Sequence, residues 1–217
     1  MKSKNRFLFF LAVIGTCPIA SHAATLIDGS GITVTASDTN TNAAYENEFV
    51  VDGSGITANY GDTGTEWFTN STVARADTWI AFDLGAGYVL DSIQVWNANR
   101  YIDWGINQLD VYVSTIALPG DPEGAGAANW TQIGTNVNFA QTPTQRAADT
   151  GFDFETQTGI NLPTTAVRHI RFEVDSAFDG NATGYVGLNE VQFTAVPEPS
   201  AVLLGGLGLL GLLRRRR

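Results

Sequence analysis

Residues 77–97, DTWIAFDLGAGYVLDSIQVWN, decide the fold class. Ile80, Phe82 and Leu84 alternate with Trp79, Ala81 and Asp83, and further on Ile93 and Val95 alternate with Gln94 and Trp96. A period of two puts one row of side chains on a core and the other on solvent, which is the signature of half-buried strands. Gly85 and Gly87 lie between the two runs and suit a tight reversal at positive φ. The stretch therefore predicts two strands joined by a short glycine turn.

The same pattern recurs on both sides. Residues 24–37 end in a β-branched alternating run and predict a first strand. Leu109, Val111 and Val113 alternate with polar neighbours, as do Ile170, Phe172 and Val174, and Val191 and Phe193. Residues 130–139 and 151–162 predict weaker strands, and residues 116–128 form a Gly/Pro/Ala loop. No stretch between 24 and 195 has convincing helical periodicity. Short strands at regular spacing with turn signals between them predict an antiparallel β-sandwich of the jelly-roll kind. The hexapeptide DGSGIT occurs at 28–33 and again at 52–57 without wider similarity, so it reads as one turn chemistry used twice.

Both ends read as addresses. Lys2, Lys4 and Arg6 precede an apolar run over residues 7–14, and Ser21-His22-Ala23 offers a small-x-small cleavage site. Residues 1–23 are thus expected to be a secretory signal peptide. The only cysteine, Cys17, lies inside it, so the exported chain has no thiol for a disulfide or a metal. At the other end, Pro197-Glu198-Pro199 is followed by a 13-residue apolar run at 201–213 and then Arg214, Arg215, Arg216 and Arg217. At roughly 1.5 Å per residue such a helix reaches about 20 Å, short of the ~30 Å hydrocarbon core. Terminal arginines stay cytoplasmic, so the tail is expected to sit transiently in an inner membrane with the domain outside.

Between the two addresses, residues 24–195 carry 21 acids against five arginines and no lysine, a formal charge of −16. Such a surface repels phosphate backbones, which argues against nucleic acid and anionic lipid as partners and leaves neutral glycans, divalent cations and basic proteins. About 170 residues is one ordinary domain.

Two resemblances follow from these residues. The tail resembles the PEP-CTERM sorting signal of Gram-negative bacteria, which has a Pro-Glu-Pro motif, a hydrophobic segment and a basic end in this order. It implies recognition by an exosortase, removal of the tail, and delivery to the cell surface or an exopolysaccharide matrix. The domain carries Val51-Asp52-Gly53, Thr65-Glu66-Trp67, Trp79 to Gly85, Ile93 to Asn97, Leu109 to Ser114, Ile170-Arg171-Phe172 and Gly187 to Val191. This series resembles the discoidin, or coagulation-factor type C, group of galactose-binding-like jelly rolls, which includes many carbohydrate-binding modules. The loop between Gly53 and Thr65 is longer than usual for the group.

The resemblance implies a structural Ca²⁺ held by Asp52, Ser54 through its carbonyl, Thr65 and Glu190. Hard oxygen donors of mixed carboxylate and carbonyl type suit that ion. The alternative is that Asp52 caps a turn and Glu190 is a solvated strand residue. Sugars are held by aromatic faces and planar hydrogen-bonding groups. Asn97, Asn99, Arg100, Tyr101, Asp103 and Trp104 supply that composition in one loop after a strand end, and Asn97, Asn99, Arg100, Tyr101 and Trp104 are the expected sugar contacts. Phe68, Asn70 and residues 178–181 are candidates for the same rim. Trp67, Trp79 and Trp96 read as core or sheet-face aromatics, and Arg100 has Asp103 as a local alternative partner. His169 reads as a surface residue beside Arg168 and Arg171. No nucleophile elbow or phosphate loop is present. The expectation is an exported, surface-sorted, non-catalytic module that binds matrix polysaccharide. The competing expectation is a structural or adhesion protein contacting proteins.

Overall fold

The structure, a computed structural model, describes residues 23–57, 64–122, 124–143 and 151–197. All but the last residue of the expected leader, and the expected sorting tail beyond Pro197, lie outside them.

Two antiparallel sheets face each other. The first contains β1 (Thr25–Leu26), β3 (Trp67–Phe68), β5 (Leu90–Asn97), β8 (Phe152–Asp153) and β10 (Gly187–Ala195). Within it β10 is central, pairing with β1, β3 and β5, while β5 also pairs with β8. The second sheet contains β2 (Thr33–Ala36), β4 (Trp79–Tyr88), β6 (Ile106–Ser114), β7 (Thr131–Asn138) and β9 (Val167–Ala177), in the order β2-β4-β9-β6-β7. The alternating rows identified above are the core: Ile80, Phe82, Leu84, Ile93, Val95, Leu109, Val111, Val113, Ile170, Phe172, Val174, Val191 and Phe193 are all buried. The sheets meet where Phe82 of β4 packs edge-on against Phe193 of β10, at 5.2 Å between centroids. Each such buried side chain contributes about 1.5–3 kcal/mol of transfer free energy.

The opening stretch is not a hairpin. β4 belongs to the second sheet and β5 to the first, so residues 77–97 cross the sandwich. Between Asp83 and Tyr88 the pairing with β9 shifts register, and the chain passes to the other sheet at Val89. Of the two glycines only Gly85 uses left-handed backbone, at φ +76°, and the Asp83 side chain accepts its N–H at 2.9 Å. Alternation could not separate the two outcomes, because either sheet puts one face on the same core.

Three further expectations change. Residues 24–37 divide into β1 and β2, in different sheets, around a short helical turn at Gly29–Gly31. The segment 151–162 is mostly not strand: β8 is followed by α1 (Phe154–Thr158), which buries Phe154 completely. The Asp153 side chain caps α1 by accepting the Thr156 N–H at 2.7 Å, and Gly159 closes it at φ +73°. His169 is buried, not exposed, with Nε2 3.3 Å from Asp83 and Trp130 edge-on at 6.3 Å. Burial pushes its pKa down, although the Asp83 charge opposes this.

The two DGSGIT copies share their opening Asp-to-Ser hydrogen bond but not their backbone path: the helical turn falls on Gly29–Gly31 in the first and on Gly55–Thr57 in the second, and only Gly53 is left-handed, at φ +84°. Asp28 accepts the Ser30 N–H at 3.0 Å, and Asp52 accepts the Ser54 N–H at 2.8 Å. The turns lie against each other, since a Cβ on Gly29 would fall 1.8 Å from the Val51 carbonyl oxygen.

β10 spans the molecule. At its start Gly187 pairs with Phe68 and bridges Gly105. At its end Ala195 pairs with Thr25 and Leu90, and the next N–H, that of Val196, reaches the Val89 carbonyl. The two ends of the domain chain therefore emerge together, at the pole opposite the loop 98–106.

Candidate functional site

Four segments meet at the Gly187 pole. Residues 38–45 lie across β3, held by Asn40 N–H to the Phe68 carbonyl at 2.7 Å and by Trp67 Nε1 to the Asp38 carbonyl at 3.0 Å. The Asp38 carboxylate accepts the Asn70 N–H at 2.6 Å and its side-chain amide, so Asn70 anchors this segment instead of lining a rim. The loop 98–106 closes on a helical turn, Ile102–Trp104. Residues 178–185 back it, with the Phe178 and Asp179 N–H groups on the carbonyls of Gly105 and Asp103.

Together they enclose a cleft of about 200 Å³ lined by Asn40, Asn42, Tyr45, Phe68, Tyr101, Trp104 and Tyr185. Phe68 is its buried floor, meeting Tyr45, Tyr101 and Trp104 edge-on at 5.4, 6.3 and 5.9 Å. Tyr101 lies 4.1 Å from the Trp104 ring at 37°, and Tyr185 lies 4.4 Å from it at 35°. Two rings that close cannot share one face of an indole, so the three form a stack with Trp104 in the middle. Trp104 thus presents its edge to the cleft, and the outer rings of the stack are the tyrosines. Tyr45 and Tyr185 were not among the expected contacts; each stands in a polar, turn-rich stretch with no alternation to mark it.

The polar members of the expected site divide. Asn97 is buried and structural: its amide donates to the carbonyls of Ile106 and Ala140 at 2.7 and 2.9 Å, and its oxygen accepts the N–H groups of Ala98 and Ile106. Asn99 is also buried, its backbone N–H donating to Asn189 at 3.3 Å. Arg100 stays partly exposed at the edge of the cleft, its guanidinium 5.5 Å from the Tyr45 ring and 6.0 Å from the Tyr101 ring. Its acid partner is Glu66, at 3.6 Å, not Asp103. Burial pushes the Glu66 carboxyl up to about 7, against the lowering effect of Arg100.

Asp179 and Asn181 serve the loop itself. Arg75, with 1 % of its surface exposed, donates to both Asp179 oxygens, to the Asn181 carbonyl at 2.6 Å and to the Tyr185 carbonyl at 3.1 Å. One guanidinium thereby fixes the segment that carries Tyr185. Those hydrogen bonds, Arg75 foremost, hold the Asp179 carboxyl down to about 2.

On the neighbouring surface, the segment bearing Asp52 and Ser54 covers β10. Glu190 is wholly buried beneath it, and its carboxylate accepts the Gly53 N–H at 3.0 Å and the Gly55 N–H at 3.3 Å. Burial pushes this carboxyl up to about 7, and the nearby Asp52 charge adds to the effect. The carbonyls of Asn189 and Thr65 converge on Gly55, where an added Cβ would lie 2.3 and 2.9 Å from them. Asp52, Ser54, Thr65 and Glu190 are therefore brought to one place, with Glu190 inward beneath the loop instead of solvated. The buried Glu190 carboxylate is met by the N–H groups of Gly53 and Gly55, with the Asp52 charge nearby and the Asn189 and Thr65 carbonyls beside Gly55; carboxylates with carbonyl oxygens close by are the donor chemistry a hard cation uses. Among the described residues, no three His, Cys, Asp or Glu side chains form a metal-holding group, so carbonyl oxygens would have to complete the set.

Residues 195–217 match the PEP-CTERM protein-sorting motif, which implies export and exosortase-dependent sorting to the cell surface. A comparison with curated protein sequences finds no match. Among solved structures, a family 32 carbohydrate-binding module of Clostridium perfringens in complex with GalNAc-β-1,3-galactose superposes with a TM-score of 0.51 at 12 % identity, covering 78 % of this chain and 99 % of that one. A second such module, from NanJ of the same organism in complex with galactose, gives a TM-score of 0.51 at 11 % identity, covering 79 % of this chain and 99 % of that one. The F5/8 type C domain of a Bacteroides fragilis protein gives 0.54 at 19 % identity, covering 81 % and 98 %. The fold is the discoidin-like β-sandwich that these share.

Proposed function

We propose that this chain is an exported, surface-sorted carbohydrate-binding module that takes a neutral sugar in the cleft at the Gly187 pole. The observation that carries this reading is the concave aromatic cleft itself. Tyrosine faces flank a small cavity with Asn40 and Asn42 at its edge, on a fold whose relatives include sugar-bound modules. At about 200 Å³ it lies below the roughly 300–1,000 Å³ of pockets for drug-sized ligands, which suits a single sugar residue. The lining residues are uncharged, Arg100 at the cleft's edge is paired with Glu66, and the domain as a whole is strongly acidic, which together favour a neutral sugar over an anionic one. A flat loop 98–106 would have favoured an adhesion surface for proteins; its concave form favours a sugar.

The role we assign is binding without catalysis, with extracellular matrix polysaccharide as the natural target. Residues 1–23 direct export from a Gram-negative cell, and the tail holds the chain briefly in the inner membrane until an exosortase acts at the sorting motif. Calcium would be held by Asp52, Ser54, Thr65 and Glu190. Bound there, it would supply the positive charge that the buried carboxylate lacks and pin Asp52, Ser54 and Thr65 to β10.

A printed array of neutral glycans, with galactose and GalNAc-β-1,3-galactose as titration probes, tests the reading. Saturable binding that is lost in Tyr101→Ala and Tyr185→Ala is expected. Binding to none of the neutral glycans, or binding indifferent to both substitutions, overturns it.

A further inference from the structure

Glu66 stands immediately before Trp67, whose side chain is fully buried in the core. Glu66 itself is only 2 % exposed. One oxygen lies 3.6 Å from Arg100 Nη1, beyond ordinary hydrogen-bond length, and the other has no hydrogen-bond partner among the described residues. A buried carboxylate served this poorly is expensive to desolvate, and a pair of this kind exchanged as a whole for uncharged groups is often neutral or stabilising. Core stability therefore does not explain an acid at this position.

What the carboxylate faces does explain it. Among the described residues, Arg100 is the charged group within ion-pair reach, and its guanidinium lies near two rings of the cleft, those of Tyr45 and Tyr101. Tyr101 in turn covers one face of Trp104. We propose that Glu66 is a positioning residue of the cleft: its buried carboxylate holds the Arg100 guanidinium between Tyr45 and Tyr101, and so sets the spacing of the aromatic walls that receive the sugar. The inference rests on the sugar-binding reading for its consequence, but not for its geometry. Without the anion, the partly exposed guanidinium loses the acid it faces, and the support that both tyrosines share is weakened. Costs retained at a site and offset elsewhere in the fold mark function more than packing.

The test uses the full-length protein as wild type, Glu66→Gln, Glu66→Asp, Arg100→Gln and the Glu66→Gln/Arg100→Gln pair. Galactose and any neutral glycan found on the array are titrated into each by calorimetry. Glu66→Gln should melt at or above the wild-type temperature yet bind roughly tenfold or more weakly, the scale of a lost charged contact. Glu66→Asp, which keeps the charge, should recover part of that loss, and the pair should bind no more weakly than Arg100→Gln alone. Near-ultraviolet circular dichroism without ligand should show the signal of the Tyr101–Trp104–Tyr185 stack altered in Glu66→Gln. Unchanged affinity, losses that multiply in the pair, or a large drop in melting temperature overturns the proposal. If the wild type binds no glycan, the sugar reading fails, and an unchanged dichroism signal in Glu66→Gln then overturns the positioning role as well.

Discussion

Asn97 and Ile106 are bonded twice, the Asn97 amide donating to the Ile106 carbonyl at 2.7 Å and its oxygen accepting the Ile106 N–H at 3.0 Å. A side chain here imitates a strand partner and ties off the base of the loop that carries Arg100, Tyr101 and Trp104. Asn97→Ala leaves two buried backbone groups of Ile106 unpaired, at about 1–3 kcal/mol each. Urea denaturation should register a loss of about 2–4 kcal/mol. Sugar affinity should fall with it, although Asn97 does not line the cleft.

The ring stack predicts a different signature. Trp104→Ala removes the middle ring and leaves Tyr101 and Tyr185 without a shared face. Galactose titration should show at least a tenfold loss, the scale of an aromatic contact worth about 1.5 kcal/mol or more. Because Trp104 offers an edge, Trp104→Phe should keep part of the affinity, and an equal loss in both variants would show that the indole itself touches sugar.

Arg75 and Asp179 predict an acid dependence. The Asp179 carboxyl, held to about 2, lies below its ordinary 3.8, so its stabilisation is full above that ordinary value and is lost as pH falls from there toward about 2. Melting temperature measured across this window should fall in the wild type and lose this component in Asp179→Asn. Asp179→Ala, which strands Arg75 at 1 % exposure, should cost about 3–5 kcal/mol at neutral pH.

The Glu190 site predicts a response to calcium. Calcium chloride should raise the melting temperature and chelator should reverse the gain, since binding to the folded state alone stabilises it by mass action, about 2.7 kcal/mol at a hundredfold excess over Kd. Glu190→Gln should abolish that response and, in chelator, melt no lower than the wild type. Equal melting with and without calcium would remove the ion from the account.

The inward rows were legible in the sequence because a period of two has only one physical reading, and each apolar row lies where it places it. Sheet membership was not, since β4 and β5 bury equivalent rows on opposite sides of one core. α1 left a readable trace in Asp153 and Gly159, a cap and a stop, but its five residues are too few for periodicity. Loop 98–106 announced itself by composition. Its partners did not: Tyr45 and Tyr185 come from distant segments, brought beside it by tertiary contacts such as Asp38–Asn70 and Arg75–Asp179. Glu66 was visible only as the middle of the Thr65-Glu66-Trp67 motif, because nothing in that motif points to Arg100.

β10 runs nine residues from the cleft to the point where the chain leaves the sandwich at Ala195, about 30 Å at 3.3–3.4 Å per residue. Whatever grips the C-terminal tail therefore holds the domain by its foot, with its mouth turned away and raised by the full height of the sandwich. Copies held by that end would stand shoulder to shoulder without covering one another's clefts.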